Sequence, residues 1–254
     1  MTQFTVLPSL LNDETSARFM LRVLVAHGSR DPRSAIALQQ LATDLTPLLG
    51  TTPAIAFLEG PHPPLADQIV QLAQQAKTQG AITVRVYPLS LLAGTHTTED
   101  LPAAIATAQT QIPLPVELQP AWGESDSLRS LLRSQVTPAT ETWLLAHGSR
   151  RPEANQQIEQ LAAEFGWPAV FCRAEPLLND RLARTQPQRL LPLLLFPGPI
   201  YDSVQALCEA ADASACLAPP LSQWPRFLEA IAQWLQFDLA ISDNRASTPS
   251  RFPQ

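Results

Sequence analysis

Cysteine is scarce and poorly placed for crosslinking: the chain of 254 residues has three, Cys172, Cys208 and Cys216, all in its second half. Their odd number and irregular spacing give no disulfide framework and no CxxC metal pair. They read as thiols in a reducing cytoplasm. Positive charge is also short, with 17 Lys and Arg against 23 Asp and Glu, a net charge of −6 and a pI near 5.2. A nucleic-acid binder needs a strong basic footprint, so that class is excluded. A few local arginines can still make a positive mouth on an acidic protein. Long apolar runs are missing as well: the most apolar stretch, Leu190 to Phe196, falls far short of the roughly 20 residues of a spanning helix. The first twenty residues carry Asp13 and Glu14 and lack a basic start before an apolar run, so no secretory signal is expected. No membrane partner is expected either. Asp243 to Gln254 is polar and contains proline, the composition of a disordered tail.

What is present is a repeat. Leu24-Val-Ala-His-Gly-Ser-Arg30 returns as Leu144-Leu-Ala-His-Gly-Ser-Arg150, an offset of 120 residues (147 − 27). Pro32 then matches Pro152, Leu38 matches Ile158, Leu41 matches Leu161 and Leu45 matches Phe165. The last three positions lie three and four apart, the apolar stripe of an amphipathic helix. Proline suits the first helical turn, where its missing N–H costs nothing. Duplication is the economical explanation.

Each half alternates strands and helices. The first reads as strands at 21–26, 54–58, 82–89 and 116–118, with helices at 33–49, 64–79 and 99–109. The second reads as strands at 142–146, 169–172, 189–196 and 216–218, with helices at 152–165, 177–184, 201–211 and 224–237. Near-continuous apolar strands imply parallel sheets covered on both faces. The expected fold class is α/β: two similar α/β/α domains, each a mostly parallel four-stranded sheet flanked by helices. Residues 1–20 read as an N-terminal extension, 21–121 as a first half carrying the site, and 122–140 as a connecting helix and linker. Residues 141–238 read as a degenerate second half and 239–254 as the tail.

Ligands of such sheets bind outside the carboxyl ends of the strands. His27 follows the first strand directly, and Gly28 and Ser29 turn the chain into a helix. Imidazole can bind a borderline divalent cation or accept a proton near neutral pH. His96 follows the third strand within Leu91-Leu-Ala-Gly-Thr-His96, and Glu59 ends the second. The three together would form a His-Glu-His set able to hold a metal or take a proton. His62, between prolines, is an auxiliary candidate. His147 repeats His27, but the second copy places Ile200 where His96 stands, and matching Pro63–Asp67 to Pro176–Asp180 puts Cys172 opposite Glu59. Arg30, Arg33, Arg150 and Arg151 crowd the first helix of each half. That placement opposes the helix dipole; it suits carboxylate binding and equally a solvated basic turn.

These motifs resemble the sirohydrochlorin chelatase family of class II tetrapyrrole chelatases, in its long, duplicated form. The resemblance rests on Ala26-His27-Gly28-Ser29, Phe57-Leu58-Glu59, and Leu91 to His96 followed by Glu99-Asp100-Leu101-Pro102, and covers roughly residues 21 to 236. It implies that a divalent metal, Fe²⁺ ahead of Co²⁺, is inserted into sirohydrochlorin for sirohaem or cobalamin. His27, His96 and Glu59 would be catalytic and metal-binding. Ser29, Arg30, Glu59, Leu91, Leu92, Ala93, Gly94, Thr95 and His96 would contact the anionic macrocycle. The metal is then a substrate, no cofactor is tightly bound, and the protein is a cytoplasmic monomer. Unlike some long members, the chain has no His-rich tail and no cysteine grouping for an iron–sulfur centre. The alternative function is a non-catalytic metal-delivery protein using the same His-Glu-His set.

Overall fold

The computed structural model describes residues 18–92, 96–137, 140–213 and 216–246, and the side chains of these except 96, 97 and 237–246. Almost all of the expected N-terminal extension, and the tail beyond 246, lie outside the described residues. The first half runs β1 (Phe19–Ala26), α1 (Pro32–Leu49), β2 (Ala54–Phe57), α2 (Leu65–Thr78), β3 (Ala81–Pro88), α3 (Leu101–Gln109) and β4 (Val116–Leu118). Its strands form a parallel sheet of four in the order β2-β1-β3-β4. A tight turn at Trp122–Glu124 and α4 (Asp126–Arg133) follow. The second half runs β5 (Thr142–Ala146), α5 (Pro152–Ala163), β6 (Ala169–Phe171), α6 (Leu178–Leu182), β7 (Arg189–Pro192), α7 (Pro199–Ala210) and α8 (Phe227–Ala246).

The second sheet is also parallel, in the order β6-β5-β7. Its expected fourth strand is reduced to a single bridge between Leu190 and Leu217. The strand expected to reach Phe196 ends at Pro192. Beyond it, the carbonyls of Leu194 and Leu195 accept from the amides of Leu221 and Ser222 rather than from a neighbouring strand. Helix α8 continues to Ala246, past residue 238, where the second half was expected to end. All three cysteines are free thiols. Among the described residues no helix is long and apolar enough to cross a membrane.

Alternation along the strands sorts side chains between two faces. In β1, Val23 and Val25 join Ile69 and Ala73 of α2 and Leu101 and Ala108 of α3 in an outer core. In β5, Trp143 and Leu145 join Leu178 of α6 and Val204 and Cys208 of α7 in another. Leu24 of β1 and Leu144 and Ala146 of β5 turn the other way, into one continuous core shared by both halves. That inner core also takes Leu38, Leu41 and Leu45 of α1, and Ile158 and Leu161 of α5, the stripes anticipated from the repeat.

The helices that close each half are exchanged across this inner layer. Helix α4 leaves the first half and lies on the second: Arg129 pairs with Glu164 at 3.3 Å, and Arg133 sits over the Phe165 ring. Helix α8 leaves the second half and lies on the first. Trp234 meets Tyr87 edge to face at 5.4 Å, and the Leu235 carbonyl accepts from the Tyr87 hydroxyl and the buried Arg22 side chain. The two exchanged segments also touch each other, with Trp122 edge-on to Phe227 at 5.6 Å. Within the expected connector, Trp122, Leu128, Leu131 and Leu132 are therefore core residues.

Candidate active site

His27 stands one residue past β1 and Glu59 two residues past β2, just beyond the pairing of Ala26 with Phe57. The chains stay joined beyond the strands: Leu58 N–H donates to Ala26, and Glu59 N–H donates to the His27 carbonyl at 2.8 Å. This brings His27 Nε2 and Glu59 Oε1 to 4.0 Å, with both side chains more than half exposed. The carbonyl of Gly28 lies 3.2 Å from His27 Nδ1. Gly28 is required here. Its φ is +94°, and a Cβ would overlap the Glu59 carbonyl, so any other residue would force β1 and β2 apart at their ends. An imidazole and a carboxylate this close can share one divalent cation or pass a proton.

The third element is the exit of β3, where Leu89 N–H donates to Val25 and Leu91 and Leu92 pack on the inner core. His96 opens a π-helical turn, His96–Asp100, that feeds α3. Ala93, Gly94 and Thr95 and the His96 side chain lie outside the described residues, so the His27–Glu59 pair is the described part of the expected set. Among the described residues no group of three or more metal-competent side chains forms.

Two supporting residues escaped the sequence reading. Gln68 on α2 clamps the end of β2: its amide accepts from Phe57 N–H at 3.0 Å and donates to the Phe57 and Pro63 carbonyls. Gly123 N–H donates to the Ser90 carbonyl at 2.8 Å, and a Cβ there would overlap the Leu91 carbonyl. Neither carries a chemical signature in sequence, since each acts through a backbone contact made by folding.

Other expected contacts are placed as follows. His62 stacks flat on Phe57 at 4.2 Å. Ser29 accepts from Asp31 N–H through its hydroxyl, and Arg30 is exposed. Arg33 already has two carboxylate partners, Asp31 at 2.6 Å and Asp202 at 2.7 Å. Those two carboxylates hold it firmly cationic. The expected clash with the dipole is relieved by Asp31, which caps α1 by accepting from Arg33 N–H. An exposed ion pair adds little stability. The Arg33–Asp202 pair nevertheless links the start of α1 to the start of α7 and marks where the carboxyl edges of the two sheets meet. Leu91 and Leu92 from one sheet, and Leu195 and Phe196 from the other, pack half-buried on the inner core beside those edges. A separate cleft of about 300 Å³ opens on the β3–β4 side between Pro88, Thr98, Gln119 and Glu124. Neither His27 nor Glu59 lines it; that pair faces the open edge instead.

The second half repeats the backbone and changes the chemistry. Cys172 N–H donates to Ala146, and Arg173 N–H donates to His147, just as Leu58 and Glu59 donate in the first half. The counterpart of Glu59 is therefore Arg173; Cys172, expected there, matches Leu58. The loop after β6 is one residue shorter than its partner, which displaced the match anchored on the downstream prolines. Leu193 N–H donates to Leu145 as Leu89 does to Val25, and Ile200 and His96 each follow seven residues later in sequence. Burial, followed by the charge of Arg173, holds His147 below its ordinary pKa. Gly148 keeps the left-handed turn, with φ +84°.

The CbiX family model matches residues 22–139 and again residues 141–236, one copy for each half. No curated protein matches. Among solved structures, the sirohydrochlorin chelatase SirB from Bacillus subtilis subspecies spizizenii, in complex with cobalt, is 18% identical with a TM-score of 0.70, over 89% of this chain and 97% of its own. SirB from Bacillus subtilis with Fe³⁺ is likewise 18% identical, with a TM-score of 0.71 over 89% and 98% of the two chains. At that identity the likeness is one of fold. The repeated family match covers nearly all of the described chain, and it agrees with the chelatase resemblance of the strand-end motifs: the chain belongs to the CbiX family.

Proposed function

We propose that this protein inserts a divalent metal ion into sirohydrochlorin. The observation that carries the proposal is the His27–Glu59 pair, 4.0 Å apart on the ends of neighbouring strands in a CbiX-family chain. The incoming cation is a substrate, gripped by the His27 imidazole and the Glu59 carboxylate, with His96 as third ligand by family resemblance. The macrocycle lies on the open edge where the two sheets meet, with Leu91 and Leu92 as its apolar wall.

Metallation is a balanced exchange. Two pyrrole N–H bonds break, the metal gives up its water and protein ligands, four metal–nitrogen bonds form, and two protons are released. A protein carboxylate or imidazole takes each proton as it leaves and passes it to solvent. Holding the cation over the ring removes the entropy cost of finding it. Ferrous iron is the favoured metal and cobalt the second. The two solved relatives hold cobalt and Fe³⁺, so both metals belong in the assay.

The test is to mix the full chain with sirohydrochlorin and Fe²⁺, Co²⁺ or Ni²⁺ without oxygen and follow the visible spectrum. The expected result is insertion faster than the uncatalysed reaction, and fastest with Fe²⁺. Glu59→Ala should lower the rate by roughly 10²-fold. Metal binding with no acceleration would overturn the proposal in favour of metal delivery.

A further inference from the structure

We propose that the carboxyl edge of the second sheet is an anion-binding subsite, formed by Arg173 with His147 beside it, that takes a carboxylate side chain of the macrocycle. The identity of that ligand rests on the chelatase reading; the subsite itself rests on the register of β5 and β6.

The same backbone hydrogen bond that places Glu59 beside His27 places Arg173 beside His147. One position thus presents a carboxylate in one half and a guanidinium in the other. The exchange removes a hard ligand for a cation and puts a fixed positive charge in its place, so a divalent metal is repelled and an anion is attracted. Ile200 in place of His96 removes a further ligand.

The remaining groups at this edge agree. Arg173 is exposed, and its guanidinium makes no hydrogen bond or ion pair with the described residues. Arg33 on the first edge, in contrast, is held by two carboxylates. The nearest acidic neighbour in sequence, Glu175, accepts from the Leu177 amide. Arg150 and Arg151 are exposed at the start of α5, where the first half has an acidic cap in Asp31. The backbone of the turn is already committed, since Asn155 accepts from Ser149 N–H at 2.7 Å and donates to the Ser149 carbonyl. Anion binding therefore falls to side chains, and a planar guanidinium offers two parallel donors to a carboxylate. His147, half-buried and held neutral by its surroundings, keeps one ring N–H to donate. The Arg33–Asp202 pair marks where this edge meets the one that bears His27 and Glu59. A polycarboxylate macrocycle resting on the first edge would then be steered by the second.

The experiment uses the full chain, with Arg173→Ala and Arg173→Lys compared with wild type in the insertion assay. Loss of a charge-assisted contact should raise KM for sirohydrochlorin roughly ten-fold or more, leaving kcat and the KM for metal within about two-fold. The Lys variant should recover part of the loss. Titration of metal-free sirohydrochlorin against rising salt should show a steeper loss of affinity for wild type than for the Ala variant. An unchanged KM in the Ala variant of an active enzyme would overturn the subsite. So would a loss confined to kcat. A wild type that accelerates no metal's insertion would overturn the proposed function instead, and with it the ligand assigned here.

Discussion

The two halves share a heptapeptide, a left-handed glycine turn and matching strand-end hydrogen bonds, yet they present opposite chemistry at equivalent positions. The first edge carries His27 and Glu59; the second carries His147 and Arg173. The first helix of one half is capped by Asp31, whereas Arg151 stands at the corresponding place in the other and makes no side-chain cap. The backbone is thus a frame that tolerates reversal of charge at its ligand edge. A few substitutions exchange a histidine–carboxylate pair for a histidine–guanidinium pair while the strand-end hydrogen bonds stay the same. Metal and macrocycle need opposite partners, and a duplicated chain can supply both across one cleft.

The halves nonetheless share one inner core, with α4 and α8 exchanged over it, so they are expected to unfold together. The comparison would break if they unfolded separately. Trp122 is fully buried, and its indole N–H donates to Ser127 at 3.0 Å. Trp122→Ala should cost about 3–5 kcal/mol and shift a single denaturant transition that near-ultraviolet and far-ultraviolet dichroism report together. Two resolved transitions would show that the exchange does not couple the halves.

The glycine turns sharpen the comparison with a smaller effect. Alanine at either left-handed position meets backbone strain of about 1–3 kcal/mol. At Gly28 the new Cβ also overlaps the Glu59 carbonyl, whereas at Gly148 its nearest neighbours are the Ala174 Cβ and amide nitrogen at 3.0 Å. Gly28→Ala should therefore be the more destabilising and should abolish insertion, with Gly148→Ala retaining activity. Thermal melts and the insertion assay on both variants check this; equal losses would mean that the two turns are equally constrained and that the close approach to Glu59 does not set the first half apart.

Much of this was readable from the sequence, for identifiable reasons. The repeat exposed the duplication, the helical stripes at Leu38, Leu41 and Leu45 marked the inner core, and the strand-end rule picked out His27 and Glu59 before any geometry was known. The helix exchange was not readable, because the apolar face of α4, with Leu128, Leu131 and Leu132, does not say which sheet it will cover. Arg173 was missed because the loop after β6 is one residue shorter, and only the hydrogen-bond register reveals its true counterpart. The reach of α8 to Ala246 was hidden by the polar composition of its last residues, which reads alike in a helix end and in a disordered tail. Gln68 and Gly123 were invisible because their partners are main-chain atoms.

Cobalt titration of the full chain without macrocycle tests the division of labour most directly. The account predicts one equivalent of tightly bound Co²⁺ in wild type and in His147→Ala, and none in His27→Ala. Loss of binding to the same extent in both variants, or a second equivalent that depends on His147, would contradict it.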